Sequence, residues 1–232
     1  MDVMYTLDRR VRTFGIDNDG DYRAVNVQEY KPGFFEFDLQ EWSKVTGHIR
    51  LAVPGRHNVY NALAMCAVCR FAGLTVEQCA EAAASFKGAG RRFEVYGECN
   101  GAVVVDDYAH HPRELAATLT SVRKMFPGRR ITALFQPHLY TRTRDLHAEF
   151  AEALSHADEV VLLPIYPARE EPIPGITSEI IARRVAAPCR IVDRDHLADE
   201  VAAMDTDVVI SFGAGNIDAC CPALAERLKM KS

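Results

Sequence analysis

The chain has 232 residues, 48% of them hydrophobic and 25% charged, with a formal net charge of -5. That length and mix suit one large or two small globular domains and exclude a disordered or fibrous chain, while the mild acidity gives no broad attraction to nucleic acid or to an anionic membrane. No stretch approaches the roughly 20 apolar residues of a membrane span, and Met1-Asp2-Val3-Met4-Tyr5 does not open a signal peptide, so a cytoplasmic protein is expected.

Residues 1–50 read as an antiparallel β meander. Short β-type runs at Val11–Ile16, Tyr22–Val27, Phe34–Leu39 and Gly47–Leu51 are separated by turn signals such as Asp17-Asn18-Asp19-Gly20-Asp21 and Lys31-Pro32-Gly33. A few short strands need something to cover their apolar face, so this segment is expected to be the tail of a larger domain. Val53-Pro54-Gly55 then opens onto a helix running to about Phe71 and stopped at Gly73, and Thr75 with Gln78 forms a capping box for a second helix, Val76 to Phe86. His57, Asn58 and Asn61 cluster at the start of the first helix, where His57 and Asn61 share a face. Such a group can read a base edge or a phosphate, although capping alone accounts for Asn58. Cys66 and Cys69 have the CxxC spacing, yet they sit in an apolar helical pattern with no His and no second pair nearby. Reduced, buried thiols are expected there and at Cys220 and Cys221, and no metal site is predicted.

Lys87-Gly88-Ala89-Gly90-Arg91-Arg92-Phe93-Glu94 is basic and flexible, a candidate linker whose arginines either reach a phosphate or belong to a solvated turn. Beyond Val95 the pattern alternates, with strands at 102–106, 130–135, 159–164, 189–193 and 207–212 and helices at about 113–125, 143–156, 177–185, 195–204 and 217–229. Five such units predict a mostly parallel sheet with helices on both faces. The run Val103-Val104-Val105 ends in Asp106-Asp107-Tyr108-Ala109-His110-His111-Pro112, with Pro112 tolerated in the first turn of the next helix. These carboxylates and imidazoles cannot all be buried unpaired, and the carboxyl end of a strand is where open α/β sheets bind ligands. A capping turn with His111 at the cap position is the competing account. The second strand ends in Gln136-Pro137-His138-Leu139-Tyr140-Thr141-Arg142-Thr143-Arg144-Asp145, whose arginines can clamp a carboxylate or phosphate with forked hydrogen bonds. Two polar tips on neighbouring strands predict one pocket. The last strand runs into Gly213-Ala214-Gly215, short of a full dinucleotide fingerprint, so a nicotinamide site is only a minor alternative.

Gly55-Arg56-His57-Asn58-Val59-Tyr60-Asn61, Gly90-Arg91-Arg92-Phe93, Asp106-Asp107-Tyr108-Ala109-His110-His111-Pro112 and Phe135-Gln136-Pro137-His138-Leu139-Tyr140-Thr141-Arg142-Thr143-Arg144-Asp145-Leu146 together resemble the Mur ligases of peptidoglycan synthesis, in order and over nearly the whole chain. Pro172-Ile173-Pro174-Gly175 and Gly213-Ala214-Gly215 fit the alanine-adding branch. The resemblance implies residues 1–90 as the remnant of a central ATP-binding domain and residues 91–232 as a Rossmann-like ligase domain. It implies ATP-driven acyl-phosphate formation on UDP-N-acetylmuramate and attack by the L-alanine amine. His57, Asn58 and Asn61 would lie beside the adenine, Arg92 (with Arg91 as the alternative) would reach the ATP phosphates, and Asp107 would hold the ribose. Tyr108, His110 and His138 would line the amino-acid pocket and Arg142 would take the carboxylate, with Arg144 in support; His110 and Arg92 are the catalytic candidates. Two departures stand out: Leu139 occupies a position where the family usually has an arginine, and no Gly-x-x-x-x-Gly-Lys-Ser/Thr phosphate loop occurs. The chain is therefore read as a C-terminal fragment, folded at least from Arg92 onward and inactive in ligation, with the Mg2+ ligands expected in the part it lacks. A related Mur-type ligase for another amino acid or peptide, and a stand-alone nucleotide-binding module, are the alternatives.

Overall fold

The computed structural model describes residues 11–99 and 101–230, which divide between Gly88 and Ala89 into two units. In the first unit, period-two alternation makes a sheet of β1 (Phe14–Gly15), β2 (Tyr22–Lys31), β3 (Phe34–Glu41) and β4 (Lys44–Pro54), in that order. Phe37 and Leu39 of β3 and Ile49 and Leu51 of β4 are buried, and so are Val59, Leu63 and Cys66 of helix α1 (His57–Phe71) and Val76 and Cys79 of α2 (Val76–Ser85). The helices cover the apolar face that the strands alone would leave wet. The expected capping box is present: Gln78 donates its backbone N–H to Thr75 Oγ1 at 3.3 Å, and Thr75 donates its own to Gln78 Oε1 at 2.8 Å. One expectation is corrected. The meander is antiparallel only from β2 to β4, because Val11–Ile16 contributes just the two residues of β1, which pair parallel to β2.

The second unit is an α/β sheet of six strands: β5 (Glu94–Cys99), β6 (Ala102–Asp107), β7 (Ile131–Phe135), β8 (Glu159–Leu162), β9 (Cys189–Ile191) and β10 (Val208–Phe212). Their order is β5-β6-β10-β7-β8-β9; β5 is antiparallel to β6 and every other pairing is parallel. Alternate residues feed two cores. Val103, Val105, Ala133, Phe135 and Ile210 pack with α3 (Pro112–Met125), α4 (Tyr140–Leu154) and α5 (Glu179–Ala182) through Leu115, Leu119, Phe150, Leu154 and Ile181. On the opposite face, Val104, Leu134, Val161 and Val209 pack with α6 (Leu197–Ala202) and α7 (Cys221–Lys229) through Leu197, Val201, Leu224 and Leu228. Strand β5 was not expected, α4 begins three residues earlier than the reading from sequence, and the helix expected at 177–185 shortens to the four residues of α5. Among the described residues no helix is long and apolar enough to cross a membrane.

The expectation of buried thiols holds at Cys66 and Cys221 and fails at Cys69 and Cys220, which are half-buried; all four, and the buried Cys79, are unbridged. Desolvation pushes the Cys66 and Cys221 thiols up to about 12. Cys221 also lies 3.2 Å from Ser211 Oγ, inside the core below β10.

Candidate functional site

The strand order corrects the expectation that the two polar tips are neighbours, because β10, last in sequence, lies between β6 and β7. The chain leaves β6 and β7 into α3 and α4 on one face, and leaves β10 toward α7 on the other. Helices that depart to opposite faces leave room for a crevice beyond the strand ends, and this change of face occurs on each side of β10. The β10 tip is kept bare. A Cβ on Gly213, whose φ is +151°, would meet the Gln136 carbonyl oxygen at 2.9 Å, and one on Gly215 would meet Tyr166 Cγ at 2.8 Å. Gln136 in turn exchanges two hydrogen bonds with Asn216, each 2.9 Å. The glycines therefore serve close packing of three strand tips, which removes the reason for a nicotinamide reading.

At the β6 tip Asp106 is fully buried and accepts from Ser211 Oγ and, at 3.1 Å, from Arg91 Nε. Burial raises its pKa against the pull of those two donors. Arg91 also donates to the carbonyls of Gly213 at 2.6 Å and Gly215 at 3.2 Å. Its guanidinium is thus consumed in locking β6 to the β10 tip. Arg92 is the exposed member of the pair, with its guanidinium 5.6 Å from the Tyr108 ring centre. Asp107 is buried, which raises its pKa; one oxygen accepts the Ala109 N–H at 2.8 Å and the other the Thr118 hydroxyl at 3.3 Å. Its carboxylate shapes the turn that carries Tyr108 and His110. His110 Nδ1 lies 3.0 Å from the Tyr108 carbonyl oxygen, which can only accept, so Nδ1 carries a hydrogen and donates it there. His111 is the N-cap of α3: its Nδ1 accepts from the Arg113 N–H at 3.3 Å, and Glu114 returns the bond by accepting from the His111 N–H at 3.1 Å. The capping reading holds at His111, and Tyr108 and His110 just before it are half-buried.

The β7 tip supplies His138, whose ring centre is 6.4 Å from that of His110, as His110 is 5.3 Å from Tyr108. Burial, then the Arg142 charge, then His110 lower the His138 pKa and favour the neutral ring. Among the described residues, His138 Nδ1 and Arg142 Nη1 are buried without a hydrogen-bond partner. Buried polar groups left without a partner are costly unless something fills the space before them. Arg144 departs from the expectation: it is exposed and forks onto its neighbour Asp145, Nε to Oδ1 at 2.7 Å, so it does not join this group. Leu139, in place of the arginine, holds φ at +74° as the N-cap residue of α4 and offers no side-chain cap. Sequence reasoning missed Tyr166, whose ring stacks on His138 at 5.7 Å, and Glu170, which accepts from the Thr141 N–H at 2.9 Å and from its hydroxyl at 2.5 Å.

In the first unit, His57 and Asn61 are exposed at the start of α1. Asn58 is not the cap. The N-cap is Arg56, and the Asn58 amide donates to the Pro54 carbonyl at 2.6 Å while accepting from Asn61 at 2.8 Å. The His57 ring lies over Gly55, where a Cβ would approach Nδ1 to 2.8 Å, so Gly55 at φ +99° shapes this corner.

Comparison with known proteins gives a consistent result. The family described as Mur ligase, glutamate ligase domain, matches residues 91–215, and the Mur ligase middle domain matches residues 2–69. The UDP-N-acetylmuramate–L-alanine ligase of Flavobacterium johnsoniae is 41% identical over 214 residues, covering 92% of this chain and 47% of that protein. The corresponding ligase of an Anaeromyxobacter species is 43% identical over 224 residues, 94% of this chain and 48% of that protein. Among solved structures, a UDP-N-acetylmuramate–alanine ligase from Thermotoga maritima superposes with a TM-score of 0.76 at 28% identity, covering 95% of this chain and 48% of that one. The chain thus spans about half the length of the curated relatives it matches.

Proposed function

This chain belongs to the Mur ligase family, and from that premise we propose that it forms part of an ATP-dependent ligase that joins L-alanine to UDP-N-acetylmuramate in peptidoglycan synthesis, in the cytoplasm. On this reading residues 91–232 bring the amino acid and residues 1–90 belong to the central ATP-binding domain. The observation that carries it is a pair of buried side-chain nitrogens without a hydrogen-bond partner, Arg142 Nη1 and His138 Nδ1, the His138 ring lying 6.4 Å from that of His110 and within reach of the Arg142 charge. A planar guanidinium beside a neutral imidazole suits a small carboxylate, since a charged hydrogen bond removes the cost of burying the donor. His110 Nε2 is the group able to take the proton from the alanine ammonium, because its other ring nitrogen is fixed by the Tyr108 carbonyl.

Arg92, exposed beside Tyr108, is the cation assigned to the transferring phosphate, and Arg91 supports the site from behind. His57, Asn58 and Asn61 are assigned to the adenine, whereas Asp107, buried with its two oxygens on the Ala109 N–H and the Thr118 hydroxyl, is withdrawn from the ribose and kept as the residue that shapes the β6 tip. Peptide-bond formation from an acyl phosphate is largely positioning and charge neutralisation, which these groups supply. Among the described residues no cluster of three or more His, Cys, Asp or Glu side chains is arranged to hold a metal. No step is assigned through the magnesium ion expected of such a ligase. With no phosphate-loop pattern in its sequence, the chain alone is expected to turn over no ATP.

The test is titration of isotopically labelled chain with L-alanine, followed at the His138 ring and Arg142 side-chain signals. Saturable shifts at both, lost in Arg142→Ala and weaker with D-alanine, are expected. Shifts absent at high L-alanine, or unchanged in Arg142→Ala, would overturn the reading.

A further inference from the structure

Helix α4 carries Arg142 in its first turn, whose local ties are the Thr143 N–H and hydroxyl on the Leu139 carbonyl at 3.1 and 2.7 Å, and no neighbouring side chain caps the turn. Its N-cap residue, Leu139, has no side chain able to accept a hydrogen bond and sits at φ +74°, outside the usual range for a β-carbon-bearing residue. The missing restraints come from the segment after β8. Tyr166 donates its N–H to the Pro137 carbonyl at 2.8 Å and accepts the Leu139 N–H at 3.0 Å, forming an isolated parallel bridge opposite His138. Its ring stacks on His138 with 16° between the planes. Four residues on, Glu170 closes both carboxylate oxygens onto Thr141, one on the N–H and one on the hydroxyl. That is a helix N-cap supplied from another part of the chain, with a full negative charge at the positive end of the α4 dipole.

We infer that Glu170 is a positioning residue for the amino-acid pocket: with Tyr166 it straps the β7 tip and the first turn of α4, and so sets where His138 and Arg142 stand. The inference rests on the proposed assignment of those two residues to the substrate carboxylate. Glu170 itself touches no substrate on this reading, because both its oxygens are used by Thr141. The charged groups around His138 are Arg142, His110 and Glu170, and of these only Glu170 favours the protonated ring.

The experiment compares the wild-type chain with Glu170→Gln and Glu170→Ala, measuring the His138 ring titration by NMR, hydrogen exchange at the Thr141 amide, and L-alanine affinity. Both variants are expected to lower the His138 pKa by a few tenths of a unit, since the one favourable charge is gone. Exchange at Thr141 should quicken roughly fivefold, the equivalent of losing one cap, more in the Ala variant than in the Gln variant, which keeps one acceptor. L-alanine affinity should fall by a similar factor while far-UV dichroism stays unchanged. An unmoved His138 titration together with unmoved Thr141 exchange in Glu170→Gln would overturn the inference. If the wild-type chain takes up no L-alanine while both of those readouts move as expected, the substrate assignment fails and the strap stands.

Discussion

Replacing Arg91 by alanine isolates the lock between β6 and β10. The substitution removes a 3.1 Å charged bond to the fully buried Asp106 and two bonds to the carbonyls of Gly213 and Gly215, leaving Ser211, among the described residues, as the remaining side-chain donor to Asp106. Breaking one side of a buried ion pair costs about 3–5 kcal/mol, and the figure belongs at the lower end here because Asp106 can take up a proton instead of staying charged. About 3 kcal/mol corresponds to a fall in melting temperature on the order of 10 °C for a unit of this size. The loss also carries a pH signature. A carboxyl whose folded pKa lies above its unfolded value binds its proton more tightly when folded, so its contribution is fullest below the unfolded value, 3.8 for Asp106, and drains away as pH rises through the folded pKa. Without Arg91 the folded pKa climbs further, so the penalty should be largest near neutral pH and shrink on acidification. Urea unfolding followed by hydrogen exchange in β6 and β10 measures it. Trp42, the single tryptophan, lies in the first unit and reports by fluorescence on a part that should not change. Asp106→Asn should recover much of the loss in an Arg91→Ala background. A cost under about 1 kcal/mol, a cost independent of pH, or no recovery in the double variant would refute the reasoning.

Gly213→Ala places a β-carbon 2.9 Å from the Gln136 carbonyl at φ +151°, and should destabilise the second unit by about 2 kcal/mol in thermal unfolding, with loss of protection at the Asn216 amide. His48 donates to Asp38 at 2.8 Å and lies 3.5 Å from Glu36, contacts that raise its pKa, chiefly through the Asp38 bond. Its contribution is therefore complete below the ordinary value of 6.5 and is lost as pH rises through the higher folded value, so the urea midpoint read at Trp42 should fall across that window in the wild type and stay flat in His48→Gln. His111→Ala removes the side-chain half of the α3 capping box and should cost about 1 kcal/mol, seen as faster exchange at the Arg113 amide.

The parts legible in the sequence are those whose cause is local. Val103-Val104-Val105 reads as a buried strand because a short β-branched run has few other homes, and His111 reads as a cap because the residues that complete the box lie within one helical turn. Strand β5 escaped because it is an antiparallel edge with a register shift between Val95 and Gly97, so its residues alternate too poorly to stand out from a linker. Glu170 escaped for a related reason: it caps α4 from 29 residues away in the chain, and the local pattern from Leu139 to Thr143 contains no sign of it. The fork of Arg144 onto Asp145 was there to be read, being a contact between adjacent residues, but nothing in the spacing distinguishes a satisfied arginine from one that awaits a ligand.

Insertion of β10 between β6 and β7 explains why two adjacent arginines have separate tasks. A parallel strand that comes last in the chain must pass its tip between two tips already carrying large side chains, which requires Gly213 and Gly215, and side chains that small leave their backbone carbonyls to be satisfied from elsewhere. Those carbonyls need donors, and Arg91 provides them while compensating Asp106. Arg91 and Phe93 both sit at positive φ, 59° and 53°, so the backbone turns sharply around Arg92 and leaves its side chain exposed while its neighbour is drawn inward. An arginine drawn in under the β10 tip is thus a consequence of topology, and the exposed Arg92 takes no part in that lock. Exchanging the two roles by substitution should fail: Arg92→Ala should leave the melting temperature of the second unit within about 2 °C of wild type, whereas Arg91→Ala should not, and equal losses in the two variants would remove this account of the pair.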